Sequence, residues 1–189
     1  MLKRIALIAI PSILQQSFIS VGNIFIQRLI NGYGSSVIAG YSAAIKVNTF
    51  AITCFSTLGN AVSNFTAQNV GAGKNDRVKK GFYAGLKMGF LIGVPFFLLC
   101  FFRGNLVIRM FMKEEALEAL NTGIQFLKIV SPFYFVVSMK LIADGLLRGA
   151  GAMSCFMAST FSDLILRVVL GYILAIPFAT TGIWMSWPV

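Results

Sequence analysis

Ala67-Gln-Asn-Val-Gly-Ala-Gly-Lys-Asn-Asp-Arg-Val-Lys-Lys80 is a strongly basic, glycine-punctuated stretch in a chain that is otherwise apolar. Long hydrophobic segments enter and leave it. What those segments are decides the fold, and the basic stretch between them decides the orientation.

The 189 residues are 57% hydrophobic and 12% charged, with a mean hydropathy of +0.81. Soluble domains carry about 25% charged residues. Apolar runs of about 20 residues recur, the length that crosses ~30 Å of hydrocarbon as a helix. A membrane β-barrel would instead alternate apolar and polar residues in segments of about ten, and no such alternation occurs. The reading is an all-α, polytopic transmembrane helix bundle, multi-pass in the cell membrane, with the lipid bilayer as its main partner.

Outward from the basic stretch, the pattern predicts five complete helices over about 5–31, 37–64, 81–102, 120–147 and 152–177, and the start of a sixth from about 180. The first segment carries Gln15, Gln16, Asn23 and Gln27 with no small-residue cleavage site behind them, so it is not a cleavable signal peptide. The formal charge is +10. Because the basic residues sit mainly at segment ends, the charge reads as topology and headgroup anchoring rather than as a nucleic-acid surface. Lys74, Arg77, Lys79 and Lys80 place the basic stretch in the cytoplasm by the positive-inside rule.

Two segments carry polar stripes. Ser12, Gln16, Ser20, Asn23, Gln27 and Asn31 recur at steps of three or four, as do Thr49, Thr53, Ser56, Asn60 and Asn64. Each set is one face of a 3.6-residue helix. Amides facing lipid go unsatisfied, so the stripes either line a cavity or bond to neighbouring helices. Gln16, Asn23, Gln27, Thr53 and Asn60 are the substrate-cavity candidates. The third segment has Gly81, Gly85, Gly89 and Gly93 at four-residue steps, which lets another helix approach closely, followed by Pro95, an expected kink. The fourth carries Pro132, with the same expectation, and Lys140. The fifth contains Asp163 and Arg167, an i,i+4 pair whose order suits the helix dipole. It is either a self-neutralising structural pair or an ion-coupling site, since ionisable groups inside a bilayer cost at least a few kcal/mol. Asp144 is the other carboxylate within or near the spans.

No enzyme emerges. Gly71-Ala-Gly-Lys74 is not a P-loop, because Gln68 and Asn75 stand where that motif needs glycine and Ser or Thr. There is no histidine, and Cys54, Cys100 and Cys155 are isolated within apolar runs, so no metal-ligand or nucleophile–base set exists. No cofactor is expected.

Gln68-Asn69-Val70-Gly71-Ala72-Gly73-Lys74, followed by Asp76-Arg77 and Lys79-Lys80-Gly81, resembles the loop after the second helix of each half of multidrug and toxic compound extrusion (MATE) transporters. Pro11 with the Gln-rich helix behind it, Ile38-Ala39-Gly40-Tyr41, and Leu147-Arg148-Gly149-Ala150-Gly151 fit the same half in order. The resemblance implies twelve helices in two six-helix lobes around a V-shaped cavity, exporting organic cations or other amphipathic compounds by sodium or proton antiport. It matches this chain to the carboxyl-terminal lobe, with the amino-terminal lobe missing, the last helix cut, and no transport expected of the piece alone. Some members carry an acidic residue in the seventh helix; here that helix has only amides and hydroxyls, so the coupling would rest on the missing lobe. The rival readings are a flippase for lipid-linked saccharides of the same superfamily, which an arginine-rich cavity would favour, and a non-transporting membrane scaffold, which needs few polar stripes.

Overall fold

The computed structural model describes residues 2–112 and 117–186; in the first helix, side chains before Ser20 are described only at Ile10, Ile13 and Ser17, and that of Ala179 is also outside the description. The described residues are helical, without strands: α1 (Leu2–Asn31), α2 (Ser35–Gly71), α3 (Asn75–Arg109), α4 (Leu117–Val130), α5 (Tyr134–Gly149) and α6 (Met153–Met185). Glu114 and Glu115, in the α3–α4 connection, lie outside the described residues, as do Trp187 to Val189. Four stretches are long and apolar enough to cross a membrane: Ser35–Gly71, Asn75–Arg109, Leu117–Gly149 and Met153–Phe178.

Most of the basic stretch is helix. α2 runs to Gly71 and α3 begins at Asn75, so the break is only three residues. Above the membrane surface, lysine, arginine and glutamine are good helix formers, and continuing the helix satisfies backbone groups that a loop would leave to water. The stop is chemical. Gly73 adopts φ 69, the Lys74 N–H donates to the Asn69 carbonyl at 2.8 Å and the Gly73 N–H to Val70 at 3.0 Å, the paired bonds of a Schellman motif. α5 ends the same way, with Gly151 at φ 77 and the Ala152 N–H donating to Leu147 at 2.9 Å.

Pro132 does break its segment. Ser131–Phe133 forms a single 3₁₀ turn between α4 and α5, where proline's missing N–H and fixed φ are tolerated. Pro95 lies inside α3 with helical backbone dihedrals, and the non-helical residue within α3 is Arg103 (φ −117, ψ 22). The helical backbone of α6 also continues past Pro177 to Met185, yet it is not one straight rod. Gly182 lies against the backbone of Leu174, whereas eight residues of straight helix would separate them by about 12 Å. The chain therefore doubles back after the span, and this brings Trp184 into the core.

α2 is the central helix, packing on α3, α4 and α5, while α1 packs chiefly on α6 and touches α2 only lightly. The buried face of α2, from Val37 through Tyr41, Ala44, Val47, Ala51, Phe55, Gly59 and Val62 to Thr66, repeats at three or four residues. Small residues let backbones meet there. A Cβ on Gly40 would strike the Ala119 carbonyl, one on Gly145 the Gly59 carbonyl, and one on Gly149 the Ser63 carbonyl. The α3 glycines expected to give the closest approach instead receive side chains: Gly85 seats Val62 and Gly89 seats Ile142, each with a methyl 2.7 Å from where a Cβ would stand. Without a hydrophobic drive between helices in lipid, dispersion at such contacts carries much of the association. At one end of the bundle Trp184 stacks on Tyr41 (centroids 5.3 Å, interplanar 7°) and meets Phe126 edge-on at 5.1 Å. Each such pair contributes about 0.5–1.5 kcal/mol beyond its area, and together they pin the returning end of α6 to α2 and α4.

Glycine 145 and glycine 71 therefore make opposite predictions. Gly145→Ala pushes a methyl into the α2 backbone, a clash that costs about 1–3 kcal/mol and lowers the thermal unfolding midpoint of the detergent-solubilised protein. Gly71→Ala meets no atom within 4 Å, and its midpoint stays level or rises. Equal midpoints for Gly145→Ala and the parent would contradict the close α2–α5 contact.

Candidate functional site

The polar stripes lie on the surface of the bundle. Asn23 and Asn31 of α1 are exposed and Gln27 is half-buried; on α2, Thr49, Thr53, Asn60 and Asn64 are exposed and Ser56 is half-buried. Gln16 belongs to the same α1 face, but its side chain is outside the described residues. These groups satisfy part of their bonding locally. The Gln27 amide donates to Asn31 Oδ1 at 2.9 Å, and the Thr53 hydroxyl to the Thr49 carbonyl at 2.7 Å. The described stripe side chains lie at the bundle surface rather than in its core. Exposed amides and hydroxyls along membrane-length helices are costly against hydrocarbon, so this face is suited to water or to further protein.

Asn60 differs from the rest of its stripe. Its Oδ1 accepts a 2.8 Å hydrogen bond from Arg148 on α5, and the same guanidinium lies 5.4 Å over the Phe156 ring of α6. Arg148 is thus an inter-helix tie as well as a topology charge.

The charged centre joins α5 and α6. Lys140 Nζ sits 2.5 Å from Asp163 Oδ2 and 3.1 Å from Asp144 Oδ2. Lys140 lies nine residues before the end of α5 and Asp163 ten residues after the start of α6. At about 1.5 Å per residue that is roughly 14–15 Å along each axis, well inside the membrane-length spans. The Asp144 side chain is only 7% exposed, against 34% for Lys140 and 30% for Asp163. Arg148, one turn beyond Asp144, also acts on it electrostatically. The series Asn60–Arg148–Asp144–Lys140–Asp163 therefore crosses three helices with two carboxylates and two cations in formal balance. Such pairing makes charge inside a bilayer tolerable.

Asp163 thus finds its cation on another helix, a partner to which its i,i+4 spacing with Arg167 does not point. Arg167 follows on the same face of α6, near enough to Tyr41 of α2 for an electrostatic interaction. The sequence does hold one clue to the cluster, the i,i+4 spacing of Lys140 and Asp144; the contact to Asp163 depends on how α5 and α6 pack. No group of three or more His, Cys, Asp and Glu side chains able to hold a metal occurs among the described residues.

Three clefts lie elsewhere: about 520 Å³ between α2 and α3, about 370 Å³ between α1 and α6, and about 350 Å³ between α3 and α5. Asn23, Gln27, Thr53 and Asn60 line none of them.

The bundle has close structural counterparts. It superposes with a TM-score of 0.90 on a structure described as the outward-facing conformation of a multidrug resistance MATE family transporter of the MOP superfamily, at 20% identity, covering 98% of this chain and 41% of that one. In sequence it is 28% identical over 180 residues to the probable multidrug resistance protein YpnP of Bacillus subtilis (strain 168), covering 95% of this chain and 38% of the relative. It is 24% identical over 184 residues to the probable multidrug resistance protein YoeA of the same organism, covering 96% and 39%. The chain thus spans about two-fifths of the length of these relatives. The MatE family model matches residues 11–173, most of the bundle from α1 into α6, and the chain belongs to the MATE family of transporters.

Proposed function

We propose that this chain is the carboxyl-terminal lobe of a secondary active efflux transporter in the cell membrane, which exports organic cations or other amphipathic compounds by antiport against sodium or protons. The observation that carries this reading is the exposed polar face on membrane-length helices, together with membership of a transporter family. Asn23, Gln27, Thr53 and Asn60, with Gln16 on the same α1 stripe, supply amide and hydroxyl contacts. An amino-terminal lobe supplies the facing wall, and rocking of one lobe against the other opens the cavity to alternate sides.

Asp163 is the coupling group in this lobe, and Arg167 keeps it company on the same face of α6. Its resident cation is Lys140. An entering proton or sodium ion competes with the Lys140 ammonium for the Asp163 carboxylate, while Asp144 remains to hold the lysine. Coupling then needs no change of net charge at Lys140, only a change of partner. Such an exchange can shift an equilibrium by the differential affinity of the ion for the two arrangements.

Transport is tested on the complete product of the gene. Cells expressing it should accumulate less of a cationic dye than control cells, and Asp163→Asn should abolish the response of efflux to collapse of the ion gradient by an ionophore. Unchanged dye accumulation, with the protein verified in the membrane, would contradict export. Retained ionophore sensitivity in Asp163→Asn would move the coupling site elsewhere.

The cavity wall is tested separately by single cysteines at positions 23, 27 and 53 in a cysteine-free background. All three should react with a membrane-impermeant, water-soluble thiol reagent, at least tenfold faster than a cysteine at the lipid-type position Leu91, which is 74% exposed. Protection of all three would favour the scaffold reading.

A further inference from the structure

Between α2 and α3, at the end where the basic turn joins them, runs a cleft of about 520 Å³. Gly81 and Gly85 keep its floor low, the first beneath the Phe65 ring and the second against Val62. Phe65 and Met88 line its sides, and both are exposed on the bundle surface. Arg77 and Lys80 stand at its mouth, and no acidic side chain lines it. The two cations are three residues apart in the first turns of α3 and so share a face.

Its length matches one leaflet. Arg77 and Met88 are eleven residues apart on one helix, about 16 Å along the axis, and half of a ~30 Å hydrocarbon core is about 15 Å. The positive-inside rule puts Arg77 and Lys80 at headgroup level on the cytoplasmic side. A free anion would use the cations and leave the apolar lane empty; a neutral hydrocarbon would use the lane and leave the cations without a partner. One molecule uses both. Basic pockets between membrane helices on the cytoplasmic side recognise anionic headgroups.

We infer that the α2–α3 cleft is a binding site for an anionic phospholipid of the cytoplasmic leaflet, with the phosphate held by Arg77 and Lys80 and one acyl chain lying along Ala61 and Ala84 between Phe65 and Met88. Lys74 and Lys79 nearby add to the attraction, and Asp76 is the one acidic residue between the two helices' facing ends. The inference goes beyond the transport reading, and its readout is binding, so the two stand or fall separately.

The test is native mass spectrometry of the complete gene product, delipidated in detergent and then offered phosphatidylglycerol or phosphatidylcholine of the same chain length. The parent should retain phosphatidylglycerol at least fivefold better. An R77Q/K80Q variant should lose that preference, and Ala84→Trp, which fills the lane without changing charge, should lower retention of the lipid. Equal retention of the two lipids by the parent, or unchanged preference in both variants, overturns the site. Displacement of the lipid by millimolar inorganic phosphate would also overturn it, by reducing the cleft to a simple anion site. Protection of the cleft by the rest of the transporter, seen as no lipid bound in the intact folded protein, would do the same. A thermal melt of each variant confirms that it is folded before binding is read.

Discussion

A carboxylate set half-way along a membrane helix has to be met by a cation, and in this chain Lys140 meets two, Asp144 within its own helix and Asp163 across the α5–α6 interface. Much of the architecture follows from that need. α6 packs chiefly on α1 and only at limited places on the other helices. Several features tie it to the bundle of α2 to α5, among them the ionic contact inside the span, with the Arg148–Phe156 contact nearby, the Gln125–Thr181 hydrogen bond, and the Tyr41–Trp184–Phe126 aromatic cluster where the chain doubles back. Glycine-mediated contact of α2 with α4 and α5 makes the bundle firm enough for such ties to have fixed positions.

The ionic and the aromatic ties differ in what can release them. Aromatic packing is insensitive to ions. A salt bridge in a region of low dielectric is sensitive to anything that takes over one partner's charge, and a lysine shared by two carboxylates has somewhere to go when one is taken. This is the physical reason for assigning ion exchange to Asp163 rather than to the amides and hydroxyls of α1 and α2. Those side chains carry no formal charge; in the proposed reading they offer a wettable wall along helices that are otherwise fit for lipid.

Much of the fold was legible in the sequence because hydrophobic length and turn chemistry are local. Pro132, an expected kink, stands at the α4–α5 break, and the short turn expected after Leu147 is a Schellman turn closed by Gly151, like the one closed by Gly73. The basic stretch misled as to extent, since charge signals exposure to water and exposure does not end a helix. The irregular backbone at Arg103 falls on a residue that is neither proline nor glycine to announce it. In the charged site, the i,i+4 spacing of Asp163 and Arg167 was visible, as was that of Lys140 and Asp144, but spacing along one helix says nothing about a partner on another. The tightest backbone contacts were similarly hidden: Gly40 and Gly59 stand alone in α2, and the Gly145–Gly149 step in α5 was less conspicuous than the four-glycine ridge of α3, which serves to seat side chains.

The claim that Lys140 and Asp163 hold α6 to the bundle is tested most directly by a double-mutant cycle. Thermal or denaturant unfolding would be measured for the parent, Lys140→Met, Asp163→Asn and the double variant. The account predicts that each single change destabilises and that the double variant recovers part of the loss, with a coupling of about 1–3 kcal/mol. Effects that add to within about 0.5 kcal/mol would contradict it, and α6 would then have to be held by its other contacts.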